Sequence, residues 1–440
     1  MVPYSPDAPE AGFPARGGSS SPTRIATVSL HTSPLEQPGT GDAGGMNVYV
    51  VEVAKRLAER GVSVDVFTRA SHPDQPPVVE LVPGVNVRHI PAGPFGELDK
   101  RTLAHHLCPF IFGVLRTEAS NPRGHYDLVH GHYWLSGRAG LAAAHRWGVP
   151  MVQSMHTLAK VKNSHLASGD SPEPELRVRG EDHLVRSADH LVANTTDEAR
   201  QLISHYGADP ARISTIPPGV DLDVFTPGSR REALRHVGLP PDSEMLLFVG
   251  RLQRLKAPDV LLRAAASLLE RDPRLRDRLV VAVVGGMSGS AGTEPDHLTE
   301  LARSLGISDV VRVEPPRTRA ELAHLYRAAT ATVVPSYSES FGLVAVESQA
   351  CGTPVLASRV GGLPTAVHDG VSGVLVDGHA PEDYARELHR LVSEPGWRDT
   401  LGNAAVTHAA KLSWGATVDG LLNVYRGALT REPLPVAANQ

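Results

Sequence analysis

The stretch VVPSYSESFGLVAVESQACGTPVLAS, residues 333–358, reads as strand, loop, helix and strand in succession. Two strands joined through a helix run parallel, because a crossover of that length returns the chain to the same end of the sheet. The same rhythm repeats outward in both directions. Strand-like runs occur at IATVSL (25–30), VSVDVFT (62–68), DLVHGH (127–132), PMVQSMHT (150–157) and HLVANT (190–195). They resume at MLLFVG (245–250), LVVAVVGG (279–286), VVRVEP (310–315), ATVVPS (331–336) and GVLVD (373–377), with amphipathic helical patterns between them. Such alternation predicts an α/β protein whose parallel sheets carry helices on both faces.

The chain has 440 residues, more than one ordinary core, so two domains of roughly 200 residues each are expected. Midway, ISTIPPGVDLDVFTPGS (213–229), rich in Pro, Gly and Asp, interrupts the rhythm and reads as the connection, dividing domain 23–217 from domain 218–413. Residues 1–22 and 431–440 read as disordered tails, and 414–430 as a last helix expected to pack back on the N-terminal domain. The composition, 41% hydrophobic and 21% charged, is that of a soluble globular protein. A net charge of −5 argues against a nucleic-acid partner held by a basic surface. Cys108 and Cys351 belong to no CxxC pair, so neither a zinc ribbon nor a disulfide framework is indicated and a reducing cytoplasm fits. No run approaches the ~20 apolar residues of a membrane span, and the first 22 residues lack a signal-like apolar segment.

Within 333–358, Glu339 falls in the loop and Glu347 inside the helix, where Leu343, Val344, Ala350 and Cys351 share its face at helical spacing. A semi-buried carboxylate needs partners, and two vicinal ribose hydroxyls would supply them. The amides of Ser340, Phe341 and Gly342 at the helix start suit a phosphate. A second stretch, FVGRLQRLKAPDVLLRAAASLL (248–269), sets Arg251 and Lys256 in a loop before a helix opened by Pro258. Cations there oppose the helix dipole, and a bound diphosphate reverses that sign.

A third stretch, GTGDAGGMNVYV (39–50), carries the glycine spacing of a dinucleotide fingerprint, but residues 31–38 separate it from the first strand. The next strand holds Asp65 in its middle and Arg69 near its end, so the ribose-gripping acid is missing where that fingerprint needs it. Gly44 and Gly45 are read instead as letting an anion approach a helix N-terminus. His130 and His132, on one strand, lack the carboxylate companions of a hydrolytic metal site and are assigned to the core.

The RxxxxK pair Arg251/Lys256 and the Glu-x7-Glu pair Glu339/Glu347 resemble the signatures of retaining glycosyltransferases of family 4. That resemblance implies the GT-B architecture, two facing Rossmann-like domains with a cleft between them, over about residues 24–430. GDAGGMNVYV (41–50), HGHYWLSG (130–137), HTLAKVKN (156–163) and VGRLQRLKAPDVLL (249–262) are most similar to the subgroup that opens mycothiol biosynthesis. Its members act as hexosyltransferases, moving N-acetylglucosamine from UDP-N-acetylglucosamine to 1D-myo-inositol 3-phosphate.

By resemblance, Arg251, Lys256, Glu339 and His156 serve catalysis. Gln37, Pro38, Gly45, Arg251, Lys256, Arg317, Glu339 and Glu347 hold the donor, with Arg251 and Lys256 on the departing UDP and Glu347 on the ribose. His31, Asp42, Asn47, Lys100, Tyr133, Thr157 and Arg177 hold the acceptor, Lys100 and Arg177 gripping its phosphate. The chemistry implied needs no cofactor, while a structural Mg²⁺ is expected on Tyr326, Arg327, Ala329 and Thr353. The resemblance further implies a cytoplasmic homodimer. Many relatives outside the subgroup carry Glu where VGGLPTAV (360–367) has Thr365. A family 4 enzyme acting on a sucrose-phosphate, lipid or glycogen acceptor, and an NAD(P)-binding oxidoreductase, are the rival readings.

Overall fold

The computed structural model describes residues 21–39, 41–164, 171–286 and 295–430; residues 1–20 of the first expected tail and all of the second lie outside them. The N-terminal half contributes β1 (Arg24–Val28), β2 (Ser63–Arg69), β3 (Val78–Val82), β4 (Val85–Ile90), β5 (Leu128–His132), β6 (Met151–Ser154), β7 (His190–Ala193) and β8 (Ile213–Thr215). The C-terminal half contributes β9 (Glu244–Val249), β10 (Leu279–Val284), β11 (Val311–Glu314), β12 (Ala331–Val334), β13 (Val355–Ser358) and β14 (Gly373–Val376). They form two sheets, in the orders β3-β4-β2-β1-β5-β6-β7-β8 and β11-β10-β9-β12-β13-β14. All pairings are parallel except β3–β4.

Each sheet is buried on both faces, which is why its strands read as continuous apolar runs. One face of the C-terminal sheet packs Leu246, Leu261, Leu268, Val281 and Leu388; the other packs Leu247, Ala282, Tyr326, Val346 and Leu363. Strand order reverses between β1 and β5 in one sheet and between β9 and β12 in the other. At such reversals the loops leaving the carboxyl ends of the strands diverge and open a crevice. The two crevices face each other.

The edge strand β3 and its neighbour β4 do not appear in the sequence reading. They form an antiparallel pair with a register shift between Glu80 and Val82, and β3 has no buried residue and runs straight into β4 with no helix to mark it. β8 lies inside the segment read as the connection. It pairs in parallel with β7, so the crossing proper begins after Thr215.

The chain crosses a second time before the helix Trp414–Thr430, which lies on the helix Gly45–Ala58 and adds Trp414, Leu421 and Tyr425 to the N-terminal core around Tyr49 and Val50. The two crossings touch: the Val220 N–H donates to the Leu412 carbonyl at 2.8 Å. Gly219 stands so close that a Cβ there would lie 2.1 Å from the Trp414 nitrogen.

Candidate active site

A cleft of about 620 Å³ runs between the carboxyl ends of the two sheets. On its C-terminal wall, the loop after β9 passes Arg251, makes a single 3₁₀ turn over Arg254–Lys256 and enters the helix Pro258–Arg271 through Ala257, held in the left-handed region at φ 52°. Pro258 is the first helical residue, where its missing N–H costs nothing. The Lys256 ammonium lies 2.5 Å from Glu339 Oε2.

The Glu339 loop is pinned from behind. Its carbonyl accepts the Gly362 N–H at 2.9 Å, and a Cβ on Gly361, at φ 51°, would sit 2.1 Å from that oxygen. Glu347 stands in the helix Leu343–Ala350, where the Tyr326 hydroxyl donates to its Oε2 at 2.9 Å. Burial pushes the Glu347 carboxyl up to about 7, against the pull of the Tyr326 hydroxyl and the Arg319 guanidinium. Arg317 lines the same wall just before the helix Arg319–Ala328.

Across the cleft, the helix Gly45–Ala58 begins where the sequence places its glycines. A Cβ on Gly45 would lie 3.3 Å from Leu343 Cδ1, tighter than usual, so this glycine eases the approach of the walls, while one on Gly44 would make ordinary contact with Arg251 Nε at 3.6 Å. Gln37 and Pro38 line the cleft beside them. The route from β1 to this helix is a long loop in which Gly39 and Gly41 take positive φ. Arg69, the residue that could have served a 2′-phosphate, donates instead to the Pro94 carbonyl at 2.8 Å. The dinucleotide fingerprint therefore lacks both its tight turn and its ribose partner.

His31, Asp42, Lys100, Tyr133, His156 and Thr157 line the N-terminal end of the cleft. Lys100 opens the helix Lys100–His105 and pairs with Asp42 at 3.2 Å. Burial lowers its ammonium pKa, and Asp42 opposes that shift. Tyr133 and His156 hold left-handed backbones, φ 73° and 61°. For non-glycine residues this is strain that the surroundings must impose, and both sit at the cleft.

The Tyr133 N–H reaches the Ser154 carbonyl at 3.0 Å. His156 Nε2 shares a 2.9 Å hydrogen bond with His132 Nδ1, and burial pulls the His156 imidazole down to about 4, so it is neutral at pH 7. His130 lies between the Tyr425 hydroxyl at 2.8 Å and Ser154 Oγ at 2.9 Å. These histidines have hydroxyl and imidazole partners, and among the described residues no group of three His, Cys, Asp or Glu side chains is arranged to hold a metal.

Two residues expected at the acceptor are not in the wall. Asn47 is 2% exposed and its amide is consumed locally: Nδ2 donates to Thr32 Oγ1 and the Ser33 carbonyl at 2.8 and 2.7 Å, and Oδ1 accepts the Gly44 N–H at 3.0 Å. It shapes the loop that the donor would meet. Arg177, 2% exposed, stands behind Tyr133 and Thr157, paired with Glu181 at 2.7 Å and Glu173 at 3.0 Å. It donates to Thr157 Oγ1 at 2.9 Å and lies 4.9 Å from the Tyr133 ring centre. Its sequence context, PEPELRVRGED, already contains both acids, at i−4 and i+4; what the stretch alone does not show is that Thr157 and Tyr133 cover the guanidinium.

The residues expected to hold Mg²⁺ lie at one helix end and on the segment after Ala350. Tyr326, Arg327 and Ala329 close the helix Arg319–Ala328, and the Thr353 hydroxyl donates to the Tyr326 carbonyl at 2.6 Å.

Sequence reasoning missed Arg319, which lines the cleft and spans the domains, 2.7 Å from Glu52 and 3.3 Å from Asp221. No sequence spacing could link residues so far apart. Lys162 and Asn194 also line the cleft; Lys162 lay inside the quoted HTLAKVKN without being singled out.

Comparison with known proteins agrees with this geometry. Residues 44–219 match the model "Glycosyl transferase 4-like domain" and residues 229–408 match "Glycosyl transferases group 1". The chain is 73% identical to the D-inositol 3-phosphate glycosyltransferase of Nocardiopsis dassonvillei, over 95% of this chain and 97% of that one. It is 69% identical to the enzyme of the same name from Thermobifida fusca, over 95% and 96%. Among solved structures, a sucrose-phosphate synthase from Thermosynechococcus elongatus superposes with a TM-score of 0.84 at 30% identity, covering 92% of this chain and 98% of that one. Anabaena HepE, solved with UDP and glucose, shares the fold at a TM-score of 0.70 and 19% identity, over 91% and 98%. With both domains matched and identity this high along nearly its whole length, the chain belongs to the D-inositol 3-phosphate glycosyltransferases, a family of GT-B hexosyltransferases.

Proposed function

We propose that this glycosyltransferase moves N-acetylglucosamine from UDP-N-acetylglucosamine to 1D-myo-inositol 3-phosphate with retention, giving N-acetylglucosaminyl-inositol phosphate and UDP, the first step of mycothiol biosynthesis. The observation that carries this reading is the Lys256–Glu339 pair, set with Arg251 and Glu347 on one wall of a cleft whose other wall is the glycine-opened helix. Arg251 and Lys256 stabilise the diphosphate as its bond to the sugar breaks, a preorganised charge that needs no rearrangement at the moment of reaction. Glu347 receives the ribose hydroxyls and Glu339 faces the sugar. The neutral His156 lies beside the sugar, with His132 holding its ring.

The acceptor oxygen attacks C1 on the face the diphosphate is leaving, and a diphosphate oxygen takes the acceptor's proton. No carboxylate nucleophile is then required. Lys100, Tyr133 and Thr157 meet the acceptor phosphate, with Arg177 orienting the last two from behind. UDP release from UDP-N-acetylglucosamine, with and without inositol 3-phosphate, tests the reading. Release stimulated equally by fructose 6-phosphate or by unphosphorylated inositol would refute it.

A structural Mg²⁺ at Tyr326, Arg327, Ala329 and Thr353 would tie a helix end to β13 and supply no chemistry to the transfer. Thermal melts with Mg²⁺ and with EDTA test it. Light scattering tests the homodimer, and cell fractionation tests the cytoplasmic location; among the described residues no helix is long and apolar enough to cross a membrane.

A further inference from the structure

Behind and beside the acceptor end of the cleft, three cations meet three carboxylates. Lys100 pairs with Asp42 at 3.2 Å, Lys162 with Glu173 Oε1 at 2.9 Å, and Arg177 with both Glu173 Oε2 at 3.0 Å and Glu181 at 2.7 Å. Lys162, in the helix Ala159–Ser164, lines the cleft together with Lys100, Tyr133 and Thr157, whereas Arg177 does not. The two lysine charges are near enough to act on each other, since Lys162 helps lower the Lys100 ammonium pKa after burial and Arg251 have done so.

A phosphomonoester brings about −1.5 to −2 charges at neutral pH, so it meets like charge in the carboxylates that already hold these cations and gains by taking the place of one of them. Asp42, a third exposed, holds Lys100 alone, while the two carboxylates that share Arg177 differ in how free they are to leave it. Glu181 is fully buried and also accepts the Ala159 N–H at 2.8 Å, so it stays. Glu173 has a quarter of its side chain exposed and spends both oxygens on cations, as a phosphate would. Its backbone N–H is fastened to Asn163 Oδ1 at 2.8 Å, which keeps its carboxylate beside Lys162. Burial works against its charge, yet Arg177 and Lys162 hold the Glu173 carboxyl below its ordinary value.

We infer that Lys162 is a further specificity residue for the phosphorylated acceptor, and that the Glu173 carboxylate competes with the acceptor's phosphate for it. This rests on the reading that the acceptor is a phosphorylated inositol. Lys162 supplies a charge-assisted hydrogen bond that an unphosphorylated polyol cannot match. Glu173 supplies the opposing selectivity: a weakly charged or neutral sugar fails to dislodge it, so the lysine stays closed to anything but a strong anion.

The test compares the parent with Lys162→Met, Lys162→Arg and Glu173→Gln. Lys162→Met is expected to raise KM for inositol 3-phosphate about tenfold, the worth of one such bond, with KM for UDP-N-acetylglucosamine within about twofold of the parent. Lys162→Arg recovers most of the loss, and Glu173→Gln lowers KM for the acceptor. Calorimetry with inorganic phosphate, parent against Lys162→Met, reads the same cation without turnover, and weaker phosphate binding by the variant is expected. An unchanged acceptor KM and unchanged phosphate binding in Lys162→Met overturn the lysine assignment. An unchanged or raised acceptor KM in Glu173→Gln overturns the competition. If the parent itself gives no UDP in answer to inositol 3-phosphate, the proposed acceptor fails instead, and the phosphate calorimetry still decides whether Lys162 binds the anion.

Discussion

At the scale of single residues, the site's cations and acids answer to different measurements. Arg251→Ala and Lys256→Ala should each lower kcat by about 10²–10³, because they stabilise charge that develops on the leaving group. Lys256→Ala should also lower the melting temperature modestly, because it leaves the mostly buried Glu339 without its partner; a near-parental kcat at saturating donor would remove the diphosphate role. Glu347→Ala should weaken UDP binding by calorimetry while changing kcat less, because a ribose contact persists from ground state to transition state.

With its carboxyl held up at about 7 by burial, Glu347 should also make UDP affinity pH-dependent. Ribose hydroxyls donate best to the ionised form, so binding should weaken as pH falls from 8 to 6, by at most about tenfold per unit, and Glu347→Gln should flatten the profile. Folding stability runs the other way. Glu198 is likewise raised to about 7 by burial, and a carboxyl whose folded pKa exceeds its unfolded value contributes stability at low pH that is lost as pH rises through 7. Arg251, Lys256, Glu339 and Glu347 were legible because each sits at a fixed spacing within one strand–loop–helix unit. Arg177 and Asn47 stand behind the cleft wall: the Arg177 pairs with Glu173 and Glu181 lie four residues to either side and were readable as helical spacing, whereas the bonds from Asn47 to Thr32 and Ser33 are tertiary and were not.

At the scale of elements, the strand–helix alternation was readable wherever both faces of a strand are buried, and failed at β3, β4 and β8. Those three are edge or near-edge strands, and their pairing depends on neighbours more than on their own pattern. The glycines after β13 show how an element positions chemistry from a distance. Gly361 leaves no room for a methyl against the Glu339 carbonyl, and its φ of 51° disfavours any side chain. Gly361→Ala should therefore displace the Glu339 loop, lowering kcat by at least about tenfold and stability by about 1–3 kcal/mol. Chemical denaturation and steady-state kinetics on the same variant check both. A parental kcat with lowered stability would show that the loop moves without carrying Glu339 out of place.

At the scale of the whole molecule, the domains meet through ionic contacts as well as through the crossings. Arg319 bridges the buried Glu52 of the N-terminal domain and Asp221 of the connection. Among the described residues, removing the guanidinium leaves a nearly buried carboxylate paired with Arg56 alone, at 3.9 Å. Arg319→Met should cost about 1–3 kcal/mol and raise KM for the donor, while Glu52→Gln in the same background should restore part of both. A double-mutant cycle measures the coupling, and strict additivity would mean the pair does not hold the domains together. The return of the helix Trp414–Thr430 to the N-terminal core bears on synthesis as well. Residues 24–215 leave the ribosome first, yet the core around Tyr49 and Val50 is completed by Trp414, Leu421 and Tyr425 of the last helix. At about 5–20 residues per second, that apolar face waits roughly ten seconds or more for its cover. The domain begun first is thus completed last, and a ribosome stalled anywhere in the C-terminal half should hold out a nascent chain with exposed aromatic surface, a substrate for chaperones until the final turn of helix is made.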